Sequence, residues 1–184
     1  MTGIEILIAA IMFGWPASVE AQPTAVHDQY HLSQPVDPDD RSYECLALNM
    51  YHEARNQGTA GILAVSAVVL NRIKDSRFPN TICEVIEEGP TRPSWKDPKL
   101  RFPIRDKCQF SWYCDGKSDK PYDKKKYKYL LNLATVFLSR KIPFLDITDG
   151  AVFYHADYVR PKWAKTKTKT IEIEDHIFYK WTQK

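Results

Sequence analysis

The chain has 184 residues, of which 43% are hydrophobic and 27% charged, a composition typical of one globular domain with a sizeable core and a terminal extension. Its seven glycines leave little room for a glycine-rich phosphate loop, and its formal net charge of +3 favours an anionic partner without choosing between a cell envelope and nucleic acid. The aromatic content of 12% suits a core and would also suit a groove that stacks on ring-shaped ligands.

The chain begins with an apolar stretch, residues 4–15, which contains the run ILIAAIMFGW. This run is too short to span a bilayer as a stable helix, and Pro16 follows it. Val19 and Ala21 then stand at the spacing that signal peptidase prefers. We therefore predict a secretory signal peptide at residues 1–21, or a signal anchor if it is retained, because its start lacks the usual Lys or Arg. The protein is then exported to the periplasm, cell envelope or exterior, with a transient inner-membrane association through residues 4–15.

Residues 22–40 are polar and contain three prolines, which predicts a flexible linker before a domain at residues 41–184. Apolar residues then recur at helical spacing from about Asp40, which predicts the first helix of the domain. Asp39 or Asp40 is the candidate cap at its start, and Gly58 suits the turn at its C-terminal end. The apolar residues of this predicted helix are Tyr43, Leu46, Ala47, Met50 and Ala54. Glu53 follows Leu46 by seven positions, so the two differ in azimuth by only about 20° and Glu53 lies on the apolar face.

The four cysteines, Cys45, Cys83, Cys108 and Cys114, form an even set in a chain that we expect to be exported. Four cysteines can form two disulfides in three ways, and the sequence does not choose between them. Cys108 and Cys114 could close a small loop around an aromatic turn, in which case Cys45 and Cys83 would tie the first helix to the third. A zinc site is the competing interpretation, but the chain has no Cys-x-x-Cys motif.

Further helices are predicted downstream. The run TAGILAVSAVVLNRIKD, which starts at Thr59, is apolar nearly all round and predicts a buried central helix. Thr81 and Glu84 form a capping box that starts a short third helix. Residues 89–107 contain four prolines and predict a long loop, either a functional rim or an insertion. Residues 122–140 predict a last helix, whose apolar stripe is Tyr129, Leu130, Leu133, Val136 and Phe137.

The C-terminal part changes period, since AVFYH, TIEIE and HIFYKW alternate or are rich in β-branched and aromatic residues. These runs predict a small antiparallel sheet, and the whole chain is therefore expected to be an α+β fold that is mainly α. Two groups of lysines either bind an anionic polymer or are merely solvated. The first lysine cluster is Lys124, Lys125, Lys126 and Lys128, and the second is Lys162, Lys165, Lys167 and Lys169.

The stretch YHEARNQG places Glu53 between a histidine and an arginine. A zinc peptidase would need His-Glu-x-x-His, and the second histidine position holds Asn56. No Gly-x-Ser-x-Gly elbow is present either. A carboxyl on an apolar helical face loses hydration, which raises its pKa, and a protonated glutamate is what glycosidic cleavage needs. The alternative is a structural salt bridge from Glu53 to Arg55 or Arg72.

Six blocks in order, ECLALNMYHEARNQG, AVSAVVLNRI, FPNTICEVI, CQFSWYCDG, VFYHADYVRPKW and HIFYKW, resemble the SleB-type cell wall hydrolase family, which includes spore-cortex-lytic enzymes. The resemblance covers about residues 42–181. It implies a lysozyme-like fold of the goose-lysozyme and lytic-transglycosylase type. It also implies cleavage of the bond between N-acetylmuramic acid and N-acetylglucosamine in peptidoglycan. The proline-rich loop at 89–107 departs from the common pattern of the family. The resemblance therefore does not establish the rim of the cleft or the substrate preference that depends on it.

The resemblance places the catalytic glutamate on Glu53. It implies that the substrate-binding residues of the cleft are Gln109, Phe110, Ser111, Tyr154, His155 and Trp163, with His176 as a further cleft or scaffold residue. It favours a lytic transglycosylase, which needs one carboxyl group, over a hydrolytic muramidase, which often uses a second carboxylate to place water. Candidates for that second group are Asp115, Asp146, Asp149 and Asp157.

We expect the partner to be the peptidoglycan glycan strand, with a monomeric enzyme and no metal, cofactor or nucleic acid. A role in bacterial cell wall remodelling and a role as a phage endolysin both fit a short catalytic domain after a signal-like segment. A non-catalytic wall-binding protein of the same fold is the alternative of another class. The presence of Glu53, Gln109 and Tyr154 together argues against that alternative.

Overall fold

The computed structural model describes residues 41–139 and 145–182. The predicted signal segment, the predicted linker and the candidate caps Asp39 and Asp40 lie outside the described residues. Within the described ranges, no helix combines the length and the apolar character needed to cross a membrane. The described residues form four α-helices, which are α1 (Ser42–Ala54), α2 (Thr59–Lys74), α3 (Ile82–Ile86) and α4 (Lys124–Leu138).

Helix α2 is the buried centre of the helical part, as its apolar sequence predicted. Ten of its sixteen residues are buried, which leaves little of its surface to solvent. Its residues Ile62, Val65 and Val69 share one core cluster with Leu46 and Met50 of α1. Helix α3 begins after Thr81, whose side chain accepts a hydrogen bond from the Glu84 amide, so the predicted N-cap is present. The Glu84 carboxylate accepts from the Thr81 hydroxyl at 2.8 Å, whereas a full capping box would use the Thr81 backbone amide.

Helix α4 lies within the predicted range, and the predicted stripe is confirmed in part, since Leu130 is buried and Leu133 and Phe137 pack partly buried against the core. Asp123 caps its start by accepting a 2.9 Å hydrogen bond from the Lys126 amide. The buried residues are Leu130, Ala134 and Leu138, whereas Tyr129 and Val136 of the predicted stripe are exposed. The fully buried residues follow i, i+4, i+8 spacing, and partly buried side chains such as Leu133 and Phe137 flank them on the packed face.

Gly58 does not end α1, contrary to the prediction. Helix α1 ends at Ala54, and Gly58 precedes α2 in an extended conformation. The Glu174 carboxylate accepts hydrogen bonds from the amides of Gly58, at 2.7 Å, and Gly61, at 3.1 Å. A Cβ atom at Gly58 would lie 2.8 Å from Glu174 Oε1. A side chain at position 58 would therefore displace the Glu174 carboxylate, which stabilises the start of α2, from its present position.

The proline-rich segment at 89–107 is not a structureless loop, so that prediction was wrong in part. It contains a hairpin of β1 (Thr91–Pro93) and β2 (Arg101–Pro103), paired antiparallel. The strands have three residues each and are largely exposed on both sides, so no apolar alternation revealed them. Proline is tolerated because a two-stranded ribbon consists only of edge strands.

The C-terminal strands form the predicted antiparallel sheet. They are β3 (Phe153–Ala156), β4 (Lys167–Ile173) and β5 (His176–Trp181), in the order β3-β5-β4, with β3 at one edge. Phe178 of β5 is fully buried against Ala64 and Val68 of α2. Tyr154 pairs with Phe178 across β3 and β5, so both side chains lie on the face that packs against α2. A 3₁₀ helix at Lys162–Thr166 precedes β4.

Two disulfides link these elements. Cys45 pairs with Cys83 and joins α1 to α3, and Cys108 pairs with Cys114 around a 3₁₀ helix at Ser111–Cys114. Of the three possible pairings, this is the one in which Cys108 and Cys114 close a small loop, and it is confirmed. Because α1 carries Glu53 and the smaller loop carries Gln109 and Phe110, the two crosslinks fix elements on which predicted site residues lie.

Candidate active site

Glu53 lies in the last turn of α1, on the side that faces the sheet. The Tyr154 hydroxyl donates a 2.9 Å hydrogen bond to Glu53 Oε2. The Tyr154 ring packs edge-on against His176 and at a tilt of 34° against Phe178, with ring centroids 5.1 Å and 5.6 Å apart. A carboxyl held by a buried hydroxyl on a packed strand keeps one orientation, which a proton donor needs.

Burial raises the pKa of the Glu53 carboxyl above its ordinary value. The hydrogen bond from Tyr154 and the positive charge of Arg72 both favour the ionised form, but they offset this effect only in part. The pKa of Tyr154 is raised well above its ordinary value, mainly by burial and then by the negative charge of Glu53. Tyr154 therefore stays a neutral hydroxyl donor while Glu53 titrates.

The salt-bridge alternative for Glu53 does not fit the geometry. Arg55 Nη1 donates to the Tyr51 carbonyl at 3.2 Å, and the Arg55 guanidinium lies over the rings of Tyr51 and Tyr122. Within the part of the chain that the structure describes, no Arg55 or Arg72 nitrogen forms an ion pair with Glu53. The carboxyl is therefore held by Tyr154 and remains available to a ligand.

Arg72 is a buried cation beside the site. Its Nε donates to the Val152 carbonyl at 2.9 Å, and its guanidinium lies between the rings of Phe78 and Phe110, 5.1 Å and 5.2 Å from their centroids. Nη1 has no hydrogen-bond partner among the described residues. Glu53 and Glu88 both interact electrostatically with this guanidinium. Arg72 thus places positive charge near Glu53 without pairing with it directly.

One cleft of 730 Å³ brings the predicted site residues together. The predicted residues that line it are Glu53, Gln109, Phe110, Ser111, Tyr154, His155, Trp163 and His176. Phe110 is buried and forms part of the floor. A second cavity of 230 Å³, lined in part by Asn56, Gln57 and Asp175, also reaches Glu53. Glu53 therefore lies between two cavities, and an extended polymer could continue on both sides of its carboxyl.

His155 has a structural role in the cleft wall. It is buried, its Nε2 lies 2.9 Å from the Tyr179 hydroxyl, and its Nδ1 lies 2.8 Å from the Ala156 carbonyl. Trp163 packs against it with ring centroids 5.6 Å apart. With both nitrogens already engaged, His155 supports the wall and leaves Trp163 to present a flat surface to the cleft.

His52 also belongs to a wall. Its ring stacks on Trp112 at 4.4 Å, and its Nε2 lies 3.0 Å from the Asp119 carbonyl. The Trp112 indole in turn donates to Asn49 Oδ1 at 3.1 Å. Among residues 41–139 and 145–182, no group of three or more His, Cys, Asp and Glu side chains is placed to hold a metal ion. The presence of His52 next to Glu53 is therefore explained by its stacking on Trp112.

A family model described as Cell Wall Hydrolase matches residues 56–179, about two thirds of the chain. The chain belongs to this family. The match begins three residues after Glu53, so the assignment of Glu53 rests on the geometry above and on the resemblance of the sequence blocks.

Two relatives place this cell wall hydrolase more closely. A spore cortex-lytic enzyme of Bacillus cereus is 28% identical over 138 residues, which cover 74% of this chain and 43% of the relative. The catalytic domain of a germination-specific lytic transglycosylase, SleB, from Bacillus anthracis is 26% identical, with a TM-score of 0.55 over 80% of this chain and all of that domain. The chain thus spans less than half the length of the curated relative.

These comparisons confirm the SleB-type resemblance and the α+β fold, in agreement with the lysozyme-like architecture expected. Both named relatives are bacterial spore enzymes, and they give no support to phage lysis.

One of the four candidate second carboxylates lines the cleft of the cell wall hydrolase. Asp115 does so, and a hydrogen bond from the Lys117 amide, at 2.7 Å, lowers the pKa of its carboxyl. Asp146 accepts hydrogen bonds from Asn71 and Thr148, Asp149 pairs with a lysine on the surface, and Asp157 lines a different cavity. The structure therefore separates candidates that the sequence could not rank.

Several residues that line the cleft were not predicted as cleft residues. These are Trp112, Phe153, Tyr158 and Trp181, together with Arg72, which the sequence suggested only as a salt-bridge partner of Glu53, and Lys167, which it suggested only as a member of the second lysine cluster. Arg72 had a usable signal, since it is the first charged residue in the otherwise apolar α2. Phe153, Trp112 and Trp181 lie inside the sequence blocks that carry the family resemblance, but only the tertiary fold shows that they face the same cleft.

Proposed function

We propose that this protein cleaves the glycosidic bond between N-acetylmuramic acid and N-acetylglucosamine in peptidoglycan, as a lytic transglycosylase that forms 1,6-anhydro-muropeptides. The observation that carries the proposal is Glu53, a carboxyl of raised pKa held by Tyr154 at the junction of two cavities. Membership of the cell wall hydrolase family and similarity to a lytic transglycosylase domain support it.

Glu53 supplies both proton transfers. In the first step the protonated carboxyl gives its proton to the glycosidic oxygen as the bond to C1 of the muramyl residue breaks. Glu53 is then a carboxylate, and it takes the proton from the C6 hydroxyl of the same sugar. The C6 oxygen bonds to C1 and closes the 1,6-anhydro ring, which leaves Glu53 protonated for the next turnover. No water is consumed.

Tyr154 and Arg72 support the intermediate state, in which Glu53 is ionised. The Tyr154 hydrogen bond is strongest to the carboxylate, and Arg72 adds a positive charge across a low-dielectric floor. Burial acts in the opposite direction and keeps the resting group protonated. The balance of these effects on the pKa lets Glu53 be protonated for the acid step and ionised for the base step.

Hydrolysis is the second candidate, and the position of Asp115 favours it. Asp115 lines the same cleft as Glu53, and its depressed pKa keeps it ionised at neutral pH. An ionised carboxylate can place and activate a water molecule for attack on C1, which would make the enzyme a muramidase. Asp115→Asn separates the two routes, because a transglycosylase that uses Glu53 alone would keep its product pattern.

Export of the protein is a further part of the proposal. The two disulfides support it, since such bonds persist in oxidising compartments outside the cytosol. A monomer acting on the glycan strand fits a site whose proposed groups all come from one chain. A fusion of residues 1–40 to a reporter that is active only outside the cytosol tests this point, and a silent reporter would contradict export.

The test of the reaction is incubation of the purified protein with peptidoglycan, followed by mass analysis of the products, with and without a chelator. Anhydro-muropeptides that persist with chelator support the proposal. New reducing ends indicate a muramidase, and free peptides indicate an amidase or peptidase. Binding to peptidoglycan without any product indicates a non-catalytic wall-binding protein. Glu53→Gln is the matched inactive control, with an expected loss of about 10²–10⁴ in rate.

A further inference from the structure

One end of the cleft is formed by side chains on the face of the sheet that is opposite to the face carrying the Tyr154 side chain. Phe153 precedes Tyr154 on edge strand β3, so the two side chains point to opposite faces. Phe153 contacts Trp163 and Trp181, with ring centroids 5.7 Å and 4.7 Å apart, and all three line the cleft. We call these three rings the aromatic end of the cleft. It is separated from Glu53 by the edge of the sheet.

Lys167 lies at this aromatic end. It pairs with Trp181 across β4 and β5, and its Nζ lies 4.2 Å from the Trp181 ring centroid and 5.0 Å from that of Phe153. The Trp181 indole donates to Asp75 Oδ2 at 3.0 Å, and the Arg77 guanidinium lies 4.1 Å from its ring centroid. Trp181 is therefore fixed, and it holds the Lys167 ammonium in position.

Lys167 differs from Lys169 and Lys180, its lysine neighbours in the sheet, in having no acidic partner among the described residues. Lys169 pairs with Glu172 at 2.9 Å, and Lys180 pairs with Asp149 at 2.7 Å. No carboxylate in residues 41–139 and 145–182 lies within ion-pairing distance of Lys167 Nζ. Lys167 is also only partly exposed, whereas the other members of the second lysine cluster are exposed.

The charge of Lys167 thus faces the cleft beside three flat rings. Arg72, the other strongly basic side chain that lines the cleft, is buried beside Glu53 and Glu88. Rings of this kind stack on sugars, and an ammonium among them binds an anionic group attached to the sugar. In peptidoglycan the anionic groups are carboxylates, carried by the peptide stem or, where the stem has been removed, by the lactyl ether of muramic acid.

We propose that Lys167, held over Phe153 and Trp181, is a receptor for a carboxylate on the muramyl substituent and makes the enzyme select glycan strands that carry one. This rests on the proposed function, since it names which form of peptidoglycan the same cleft prefers. Lys167 lies at the aromatic end of the cleft, on strand β4, and has no contact with Glu53, so it acts on substrate affinity and leaves the chemical step to Glu53.

The test compares three soluble, uncrosslinked substrates: strands with intact peptide stems, strands whose stems have been removed by an amidase, and stem-bearing strands whose carboxylates have been converted to neutral amides. The variants are Lys167→Gln, which removes the charge, and Lys167→Arg, which keeps it. Lys180→Gln is the control, because Lys180 lies on the same sheet and its ammonium is already paired with Asp149.

Lys167→Gln is expected to raise KM about tenfold on a carboxylate-bearing substrate with kcat unchanged. On the amidated strands it should match the wild type. Lys167→Arg should restore most of the affinity, and Lys180→Gln should behave as the wild type. A KM effect on stem-bearing strands assigns the carboxylate to the peptide, and an effect on amidase-treated strands assigns it to the lactyl group.

Equal KM values for Lys167→Gln and the wild type on both carboxylate-bearing substrates would overturn the inference, as would an equal loss on the amidated strands. Unchanged thermal melting confirms that the variants are folded. Failure of the proposed function is a separate outcome, because the wild type would then release no anhydro-muropeptide from any of the three substrates.

Discussion

Tyr154→Phe removes the hydrogen bond from the Tyr154 hydroxyl to Glu53 while it keeps the ring that packs against Phe178 and His176. The hydroxyl donates to the carboxyl and favours its ionised form, so it lowers the pKa of Glu53 against the larger effect of burial. Without the hydroxyl the pKa of Glu53 rises further. The protonated, proton-donating form then persists to higher pH.

The size of the shift follows from the type of bond. A hydrogen bond to a charged group contributes about 1.5–3 kcal/mol, and about 1.4 kcal/mol corresponds to one pH unit. Glu53 is partly exposed to the cleft, where solvent weakens the bond, so the lower end applies. We expect the alkaline limb of kcat/KM to move up by about one pH unit.

The assay is the release of soluble muropeptides over a range of pH at fixed ionic strength, for the wild type and Tyr154→Phe. The maximal rate should fall as well, because the carboxylate formed after proton donation loses its stabilising donor. Tyr158→Phe is the control, since Tyr158 lines the same cleft but is exposed. An alkaline limb that stays in place, or moves to lower pH, in Tyr154→Phe would refute the role given to the hydrogen bond.

Three further predictions concern stability and binding. Because the pKa of Glu53 is raised in the folded state, the protein loses stability as pH rises through that pKa. Glu53→Gln should therefore melt at a higher temperature than the wild type at neutral pH and at the same temperature near pH 3. Equal melting temperatures at both pH values would contradict this. Cys45→Ala with Cys83→Ala should cost about 2–4 kcal/mol of unfolding free energy in denaturant titrations, more than the loss of the shorter loop closed by Cys108 and Cys114; the reverse order would count against the chain-entropy account. Charge reversal of the first lysine cluster should weaken sedimentation with insoluble sacculi at low salt, since exposed charges are screened over about 8 Å at physiological salt; binding that ignores both salt and the substitutions would show that the cluster is only solvated.

Local sequence signals identified the elements whose pattern is dictated by burial. The apolar run after Thr59 became the central helix, and the alternating C-terminal runs became the sheet. The position of Glu53 on the apolar face followed from helical periodicity alone. The short hairpin at 91–103 escaped notice because its strands are exposed and end in prolines, so burial left no pattern in the sequence.

Long-range contacts explain what sequence reasoning missed. Gly58 was read as the end of α1, whereas its role depends on Glu174, a residue 116 positions away. The pairing of Lys167 with Trp181 depends on the register of β4 and β5, which no local motif specifies. Asp115 could be separated from the other aspartates only once the fold had placed it in the cleft.

The most direct test of the central claim is mass analysis of the products that wild-type protein and folded Glu53→Gln release from purified peptidoglycan. We expect 1,6-anhydro-muropeptides from the wild type and essentially none from Glu53→Gln, with melting behaviour that shows the variant to be folded. Near-normal release of anhydro-muropeptides by folded Glu53→Gln would contradict the assignment of Glu53 as the acid and base.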